Sequence, residues 1–412
     1  MRNVRRWIQW AAASPVLATF LAVVLGLAFG ALVIILTTPV VLDSWRGLFH
    51  SWGAPGHALK VTLDHVGAAY RAMFTGSVGN PNLFWHSITT GKGWTQTMTP
   101  ISETLTNATP LIIASIGVGI AFQTGIFNIG ANGQAIMGGI AGTAVGSMIH
   151  LPTILLIPLT LVSGIAGGML TGAVPGLLKA FTGAHEVIVT IMLNYVVAAF
   201  LIFVLLSTSL QAPGTANDVS RVMLPSAQLA PLFGTASGLR INYGLFIAAG
   251  VVLFAWWFLE RSSLGFEFRV TGANPSAART SGINPRRIVV MVFLISGGLA
   301  GLAGVTVIPL YGQQINGGFL IGNAGIGFTA ITVSLLGRNR PFGIVWGSLL
   351  FAALGVGGRT MQAITGIPLD LATVIQSAVV LFVATPVLIQ EIFRLRSSGA
   401  GAVHLATKGW SS

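Results

Sequence analysis

Two short segments of this chain carry residue types that could do chemistry. The first, residues 123–134, reads QTGIFNIGANGQ and lies between two apolar runs. Gln123, Asn128, Asn132 and Gln134 offer neutral hydrogen-bond donors and acceptors, with Phe127 among them. Neutral amides suit a polar uncharged solute better than an ion. Gly125, Gly130 and Gly133 would each interrupt a helix. Two readings stand side by side: an element lining a pathway, or a plain loop whose amides cap two helix ends.

The second segment, residues 260–287, reads ERSSLGFEFRVTGANPSAARTSGINPRR. A short helix is expected over residues 276–281, with Asn274 as its N-cap, Pro275 at its first position and Gly282 closing it. Such a helix could dock on a soluble partner. A basic loop facing lipid headgroups would account for Arg269 and its neighbours. It would not account for the small-residue pattern Gly-Ala-Asn-Pro-Ser-Ala-Ala.

Other chemistries find little support. The chain has no cysteine, so disulfides, thiolate metal sites and a cysteine nucleophile are excluded. Its seven histidines fall mostly outside the apolar runs, and no metal-ligand cluster or nucleophile motif appears within those runs. We expect no enzyme activity and no metal. A phosphate-binding loop of the G-x-x-x-x-G-K-[ST] kind is also missing, so any ATP must be bound by a partner.

The elements that must position these segments are membrane helices. Of 412 residues, 53% are hydrophobic and only 7% charged, against about 25% in a soluble domain. The expected fold class is all-α and polytopic, with about ten transmembrane helices. The apolar runs cover residues 16–37, 103–122, 133–149, 152–178, 187–208, 243–259, 288–311, 321–336, 342–364 and 371–393. The first is too long for a signal-peptide core and reads as an uncleaved span. Residues 1–40 form a tail and first helix, 41–100 a polar outer segment without clear periodicity, 101–393 the core and 394–412 a tail.

The net charge of +12 follows from basic loops rather than from nucleic-acid binding. With Arg2, Arg5 and Arg6 placed in the cytoplasm, the dense basic segments all fall on that side. These are Lys179, the 260–287 loop, Arg338 with Arg340, and Arg394, Arg396 and Lys408. Both termini come out cytoplasmic, in a cytoplasmic (inner) membrane.

Glycine accounts for 53 residues, many inside apolar runs, where it lets helices approach closely. Residues 124–148 and 322–357 share a Gly-rich broken texture, which suggests an inverted repeat. Glu103, Glu186 and Asp370 are expected at helix starts, where a carboxylate favours the dipole. Asn107 and Asn194 lie deeper and join the pathway candidates.

These segments also carry a resemblance. Gly265, Arg269, Gly272, Asn274, Pro275, Ala277, Ala278, Gly282 and Ile283 match the cytoplasmic coupling loop of ABC-importer permeases, with a departure at Val270-Thr271. FNIGANGQ resembles the FNIGAEGQ signature of the nucleoside branch of the simple-sugar and branched-chain amino-acid permease family, with Asn132 replacing the acid. The resemblance runs over about residues 97–393. It implies an importer subunit paired with a second permease chain, a partner ATPase that uses the ATP, and an extracytoplasmic solute-binding protein. Nucleosides are the expected solute. A simple sugar such as ribose or galactose carried by the same machine, and an ion-coupled transporter, are the alternatives.

Overall fold

The computed structural model describes residues 15–46, 55–207, 210–215, 217–320 and 325–384. The basic residues expected at both termini, the end of the last apolar run and the start of the 321–336 run lie outside these residues. Among the described residues the protein is helical, and extended pairing is confined to isolated bridges such as Gln211 with Ser220 and Val219 with Asn316. The chain divides into two compact units, residues 1–69 with 366–412 and residues 70–365.

In the first unit, α1 (Pro15–Thr37) packs against α15 (Asp370–Ala384). Gly26 makes this possible, because a Cβ there would strike the Val379 side chain. The short α2 (Pro39–Arg46) is tied to α3 (Pro55–Ser77) by Trp45, whose Nε1 donates to Thr62 Oγ1 at 2.9 Å.

The second unit holds the end of α3 and the helices α4 (Pro81–Thr90), α5 (Trp94–Gln123), α6 (Ala131–Met148), α7 (Thr153–Thr182) and α8 (Glu186–Leu205). It continues with α9 (Gly244–Arg261), α10 (Ser263–Ala273), α11 (Pro275–Thr280), α12 (Pro285–Val307), α13 (Gly325–Leu336) and α14 (Pro341–Thr365). Among the described residues, seven helices are long and apolar enough to cross a membrane: α1, α5, α7, α8, α9, α12 and α14. Of the remaining expected runs, α6 has 18 residues but is less apolar, and α13 and α15 are shorter among the described residues. With 12 residues, α13 rises about 18 Å, less than the roughly 30 Å hydrocarbon core.

Two helices form the centre of this unit. The apolar window of α5 is 83% buried and that of α12 67%, against 28% for α7 and 17% for α8. The apolar faces of α7 and α8 are therefore left uncovered by the rest of the chain. The contact of α7 with α12 is backbone on backbone. A Cβ on Gly168 would meet the Gly297 carbonyl, and one on Gly301 would meet that of Gly164. This is the close approach that small residues permit where lipid supplies no hydrophobic drive.

The two ends of the unit differ. At one end, residues 210–223 pair with the chain after α12: Ser220 N donates to Ile315 O at 2.8 Å and Met223 N to Gln313 O at 2.9 Å. At the other end lie α10, α11 and the turn at 337–340. There burial and the nearby Arg340 lower the pKa of Arg338, whose guanidinium still stays charged at neutral pH.

Within residues 41–100 the chain forms α2, α3, α4 and the first turns of α5, with Asn80 capping α4 ahead of Pro81. Two expectations need correction. Glu103 is not at a helix start, since α5 begins at Trp94; its carboxylate instead meets Arg240 at 3.5 Å. Gly133 does not interrupt a helix but lies inside α6, where its missing side chain admits Asn194. Glu186 and Asp370 do open helices, and Glu186 also ion-pairs with Lys179.

Candidate functional site

The break in the 123–134 segment is seven residues long, between the end of α5 and the start of α6. A Schellman motif ends α5. Gly125 adopts φ +72°, its N–H donates to Phe122 O at 3.1 Å, and Ile126 N–H reaches Ala121 O at 3.0 Å. Thr124 Oγ1 adds a bond to Ile120 O at 2.9 Å.

The middle of the break is locked by amides. Asn128 is fully buried. Its Nδ2 donates to Gln134 Oε1 and to Ser296 Oγ, both at 2.8 Å. Its Oδ1 accepts from Gly130 N at 3.1 Å and Gln134 Nε2 at 3.2 Å. Both donors and both lone pairs of the amide are thus in use. Asn194 of α8 closes the next turn: its Oδ1 accepts from Gly133 N at 2.8 Å, and its Nδ2 donates to Ile129 O at 3.0 Å. It serves one of the amides that a helix start leaves without an intrahelical partner.

Asn132 joins two helix starts. Its Nδ2 donates to Leu320 O at 3.0 Å and its Oδ1 accepts from Gly327 N at 3.4 Å. Gly325 and Gly327 of α13 leave the space it fills, and a Cβ on either would strike Asn132. The N-terminal turns of α6 and α13 therefore meet at this side chain.

Gln123 reaches the turn before α14, its Nε2 donating to Asn339 O at 2.6 Å. Phe127 is half-exposed and packs edge-on against Phe122, with ring centroids 5.2 Å apart. Asn107 is not part of this cluster. It sits on α5 about 24 Å from Gln123 along the helix, where Arg359 Nη2 donates to its Oδ1 at 3.4 Å.

The basic segment forms two helices rather than one loop. Ser262 caps α10, its Oγ accepting from Gly265 N at 2.9 Å. Gly265 lies against the Phe258 carbonyl, and buried Phe268 meets Phe258 edge-on at 5.3 Å. Asn274 caps α11, accepting from Ser276 N at 3.0 Å and Ala277 N at 3.2 Å, with Pro275 at the first position. Gly282, at φ +81°, closes it through a second Schellman pair, with Ile283 N–H on Ala278 O at 3.0 Å. The helix is Pro275–Thr280, within a residue of expectation. Ala278 is buried, Arg269 half-buried, and Pro275, Ser276 and Ala277 are exposed.

These two segments touch. A Cβ on Gly272 would strike the Gln123 carbonyl and lie 2.9 Å from Cα and the carbonyl carbon of Thr124. From the other side, a Cβ on Gly125 would lie 3.7 Å from Gly272 O. Sequence reasoning missed two partners that anchor the break, Ser296 and Asn339. The signals were present: a Ser inside an apolar run, and Asn339 between two arginines before a proline.

Residues 101–384 match a protein family described as the branched-chain amino acid transport system / permease component. The chain belongs to this family. The Guanosine ABC transporter permease protein NupP of Bacillus subtilis is 32% identical over 306 residues, which are 73% of this chain and 85% of that protein. The Nucleoside ABC transporter permease protein NupB of Lactococcus lactis is 34% identical over 70% of this chain and 80% of its own length. The Glucose ABC transporter permease protein TsgB13 of Haloferax volcanii is 34% identical over 69% of this chain and 76% of its own. No solved structure matches the chain. Both segments described above fall inside the matched part of this permease.

Proposed function

We propose that this permease is the translocating subunit of an importer for nucleosides. It works with a second permease chain, a partner ATPase that binds and hydrolyses the ATP, and an extracytoplasmic solute-binding protein. It lies in the cytoplasmic membrane with the α10–α11 end and both termini inside. Two relatives named for guanosine and nucleoside support the solute, as does the FNIGANGQ segment.

The observation that carries the reading is the contact of Gly272 with Gln123 and Thr124. The exposed face of α11 offers small residues to a partner's groove. A push on α11 passes through α10 to Gly272. No side chain lies between Gly272 and the backbone of α5, so little of the displacement is lost. It then reaches the break held by Asn128, Gln134 and Asn194. Asn132, half-buried between two helix starts, is the residue best placed to exchange partners when the break moves. Of the proposed pathway residues, Gln123, Asn128, Asn132, Gln134 and Asn194 belong to this cluster, with Phe127 at its edge, while Asn107 serves the outer part.

A sugar reading has one specific support, the relative named for glucose. Uptake of radiolabelled guanosine by cells carrying this chain with its partner subunits decides between them. We expect ATP-dependent guanosine uptake that excess ribose does not inhibit. Uptake of ribose or glucose with no guanosine uptake would overturn the nucleoside reading.

A further inference from the structure

At the end of the second unit remote from Gly272, a cavity of about 440 Å³ opens between α3, α4, α5 and α14. That volume lies within the range of roughly 300–1,000 Å³ usual for small-molecule sites. Its lining is largely apolar but carries charged groups of both signs. Glu103 and Arg359 both border it, with Gln96, Thr99 and Pro100 from the outer turns of α5 and Val356 from α14.

Each polar group keeps capacity for a ligand. Arg359 has five donors and uses one on Asn107, at a long 3.4 Å. The Glu103 carboxylate meets only one nitrogen of Arg240, at 3.5 Å to both oxygens, and has about four acceptor sites. Thr99 Oγ1 donates to Thr95 O at 2.7 Å and still accepts. Pro100 lies inside α5 and brings no N–H, so it withholds the helix donor that the Gln96 carbonyl would otherwise meet. The space is bordered by one carboxylate and one guanidinium, while Arg240 pairs with Glu103 from outside the lining. An acceptor and a donor facing the same space suit a solute rich in hydroxyls, which both donate and accept.

We propose that this cavity is an outer binding site for a neutral solute bearing vicinal hydroxyls, with Glu103 accepting from the diol and Arg359 donating to a ring or carbonyl oxygen. A nucleoside and a free sugar share this chemistry. The proposal deepens the importer reading above and rests on it for the direction of entry.

The absence of cysteine from the sequence gives a direct test. The full chain carrying Gln96→Cys is assembled with its second permease chain and ATPase in lipid nanodiscs, and the rate of maleimide labelling of this chain is measured. Trp85→Cys, at an exposed residue of the same end outside the cavity lining, is the control. We expect millimolar guanosine to slow labelling at position 96 about tenfold and 2′,3′-dideoxyguanosine, which lacks the diol, to have little effect. Position 85 should not respond. Adding Glu103→Gln should abolish the protection, and Glu103→Asp should restore part of it. Protection by ribose alone would keep the cavity and overturn the nucleoside reading. Guanosine uptake without protection at position 96 would overturn the cavity and leave that reading standing. Equal protection by the dideoxy compound, or at position 85, would also overturn the site.

Discussion

Gly272 of α10 and Gln123 of α5 meet backbone to backbone, with no room for even a methyl group between them. They are 149 positions apart by number, yet each belongs to a segment whose composition already marked it. The contact brings two separate motifs against each other, and in the proposed importer they move as one unit. One is exposed and small enough to dock on a partner. The other is the break that the buried amides hold in place.

Gly125 should tolerate no other residue easily. Apart from its neighbours in sequence, the atoms nearest a Cβ there, Gly272 O and Cα, leave ordinary space at 3.7 and 3.8 Å. The strain comes from φ +72°, where an L-residue costs about 1–2 kcal/mol. Gly125→Ala should lower the thermal midpoint of the detergent-purified protein, and Gly125→Asn should lower it less. Equal midpoints for Gly125→Ala and the parent would contradict the Schellman assignment.

Asn128 and Gln134 act as a pair. Asn128→Ala leaves buried Gln134 and Ser296 without partners, at about 1–3 kcal/mol for each unsatisfied group. Changing Gln134→Met in the same chain removes one of those unsatisfied groups. The double variant should therefore be less destabilised than the sum of the two single ones. Additive losses in denaturant or thermal unfolding would show that the two amides are not coupled.

Much of this was legible in the sequence, and the reasons are local. Asn-Pro starts at Asn274-Pro275 and Asn284-Pro285, and a glycine at 282, fix helix ends through groups within a few residues. The apolar runs fix membrane helices by length. What stayed hidden depends on distant partners. Glu103 lies inside α5 because Trp94 to Ser102 continue the helix outward, and Arg240, 137 positions away, receives its charge. Gly133 read as a breaker, but its role follows from Asn194 on another helix. The amides of 123–134 were recognisable as unusual. That Asn128 is saturated by bonds within the protein could be seen only once Ser296 was placed beside it.

Asn274 should matter locally. Asn274→Ala removes the acceptor for two amides at the start of α11, a loss of about 1 kcal/mol. Hydrogen exchange at Ser276 and Ala277 should speed up several-fold, while amides in buried α12 keep their protection. Asn274→Asp should preserve the cap. Unchanged exchange in Asn274→Ala would mean that α11 is held by other contacts.

The central claim is that α10 passes motion to the break through Gly272. The most direct test compares Gly272→Ala and Gly272→Val with the parent in the assembled transporter reconstituted in liposomes. Overpacking of this kind costs about 1–3 kcal/mol. ATP hydrolysed per guanosine transported should therefore rise in the order parent, alanine, valine, with the ATPase still bound in each. A valine variant that transports with the parent's ATP-to-solute ratio would contradict the account.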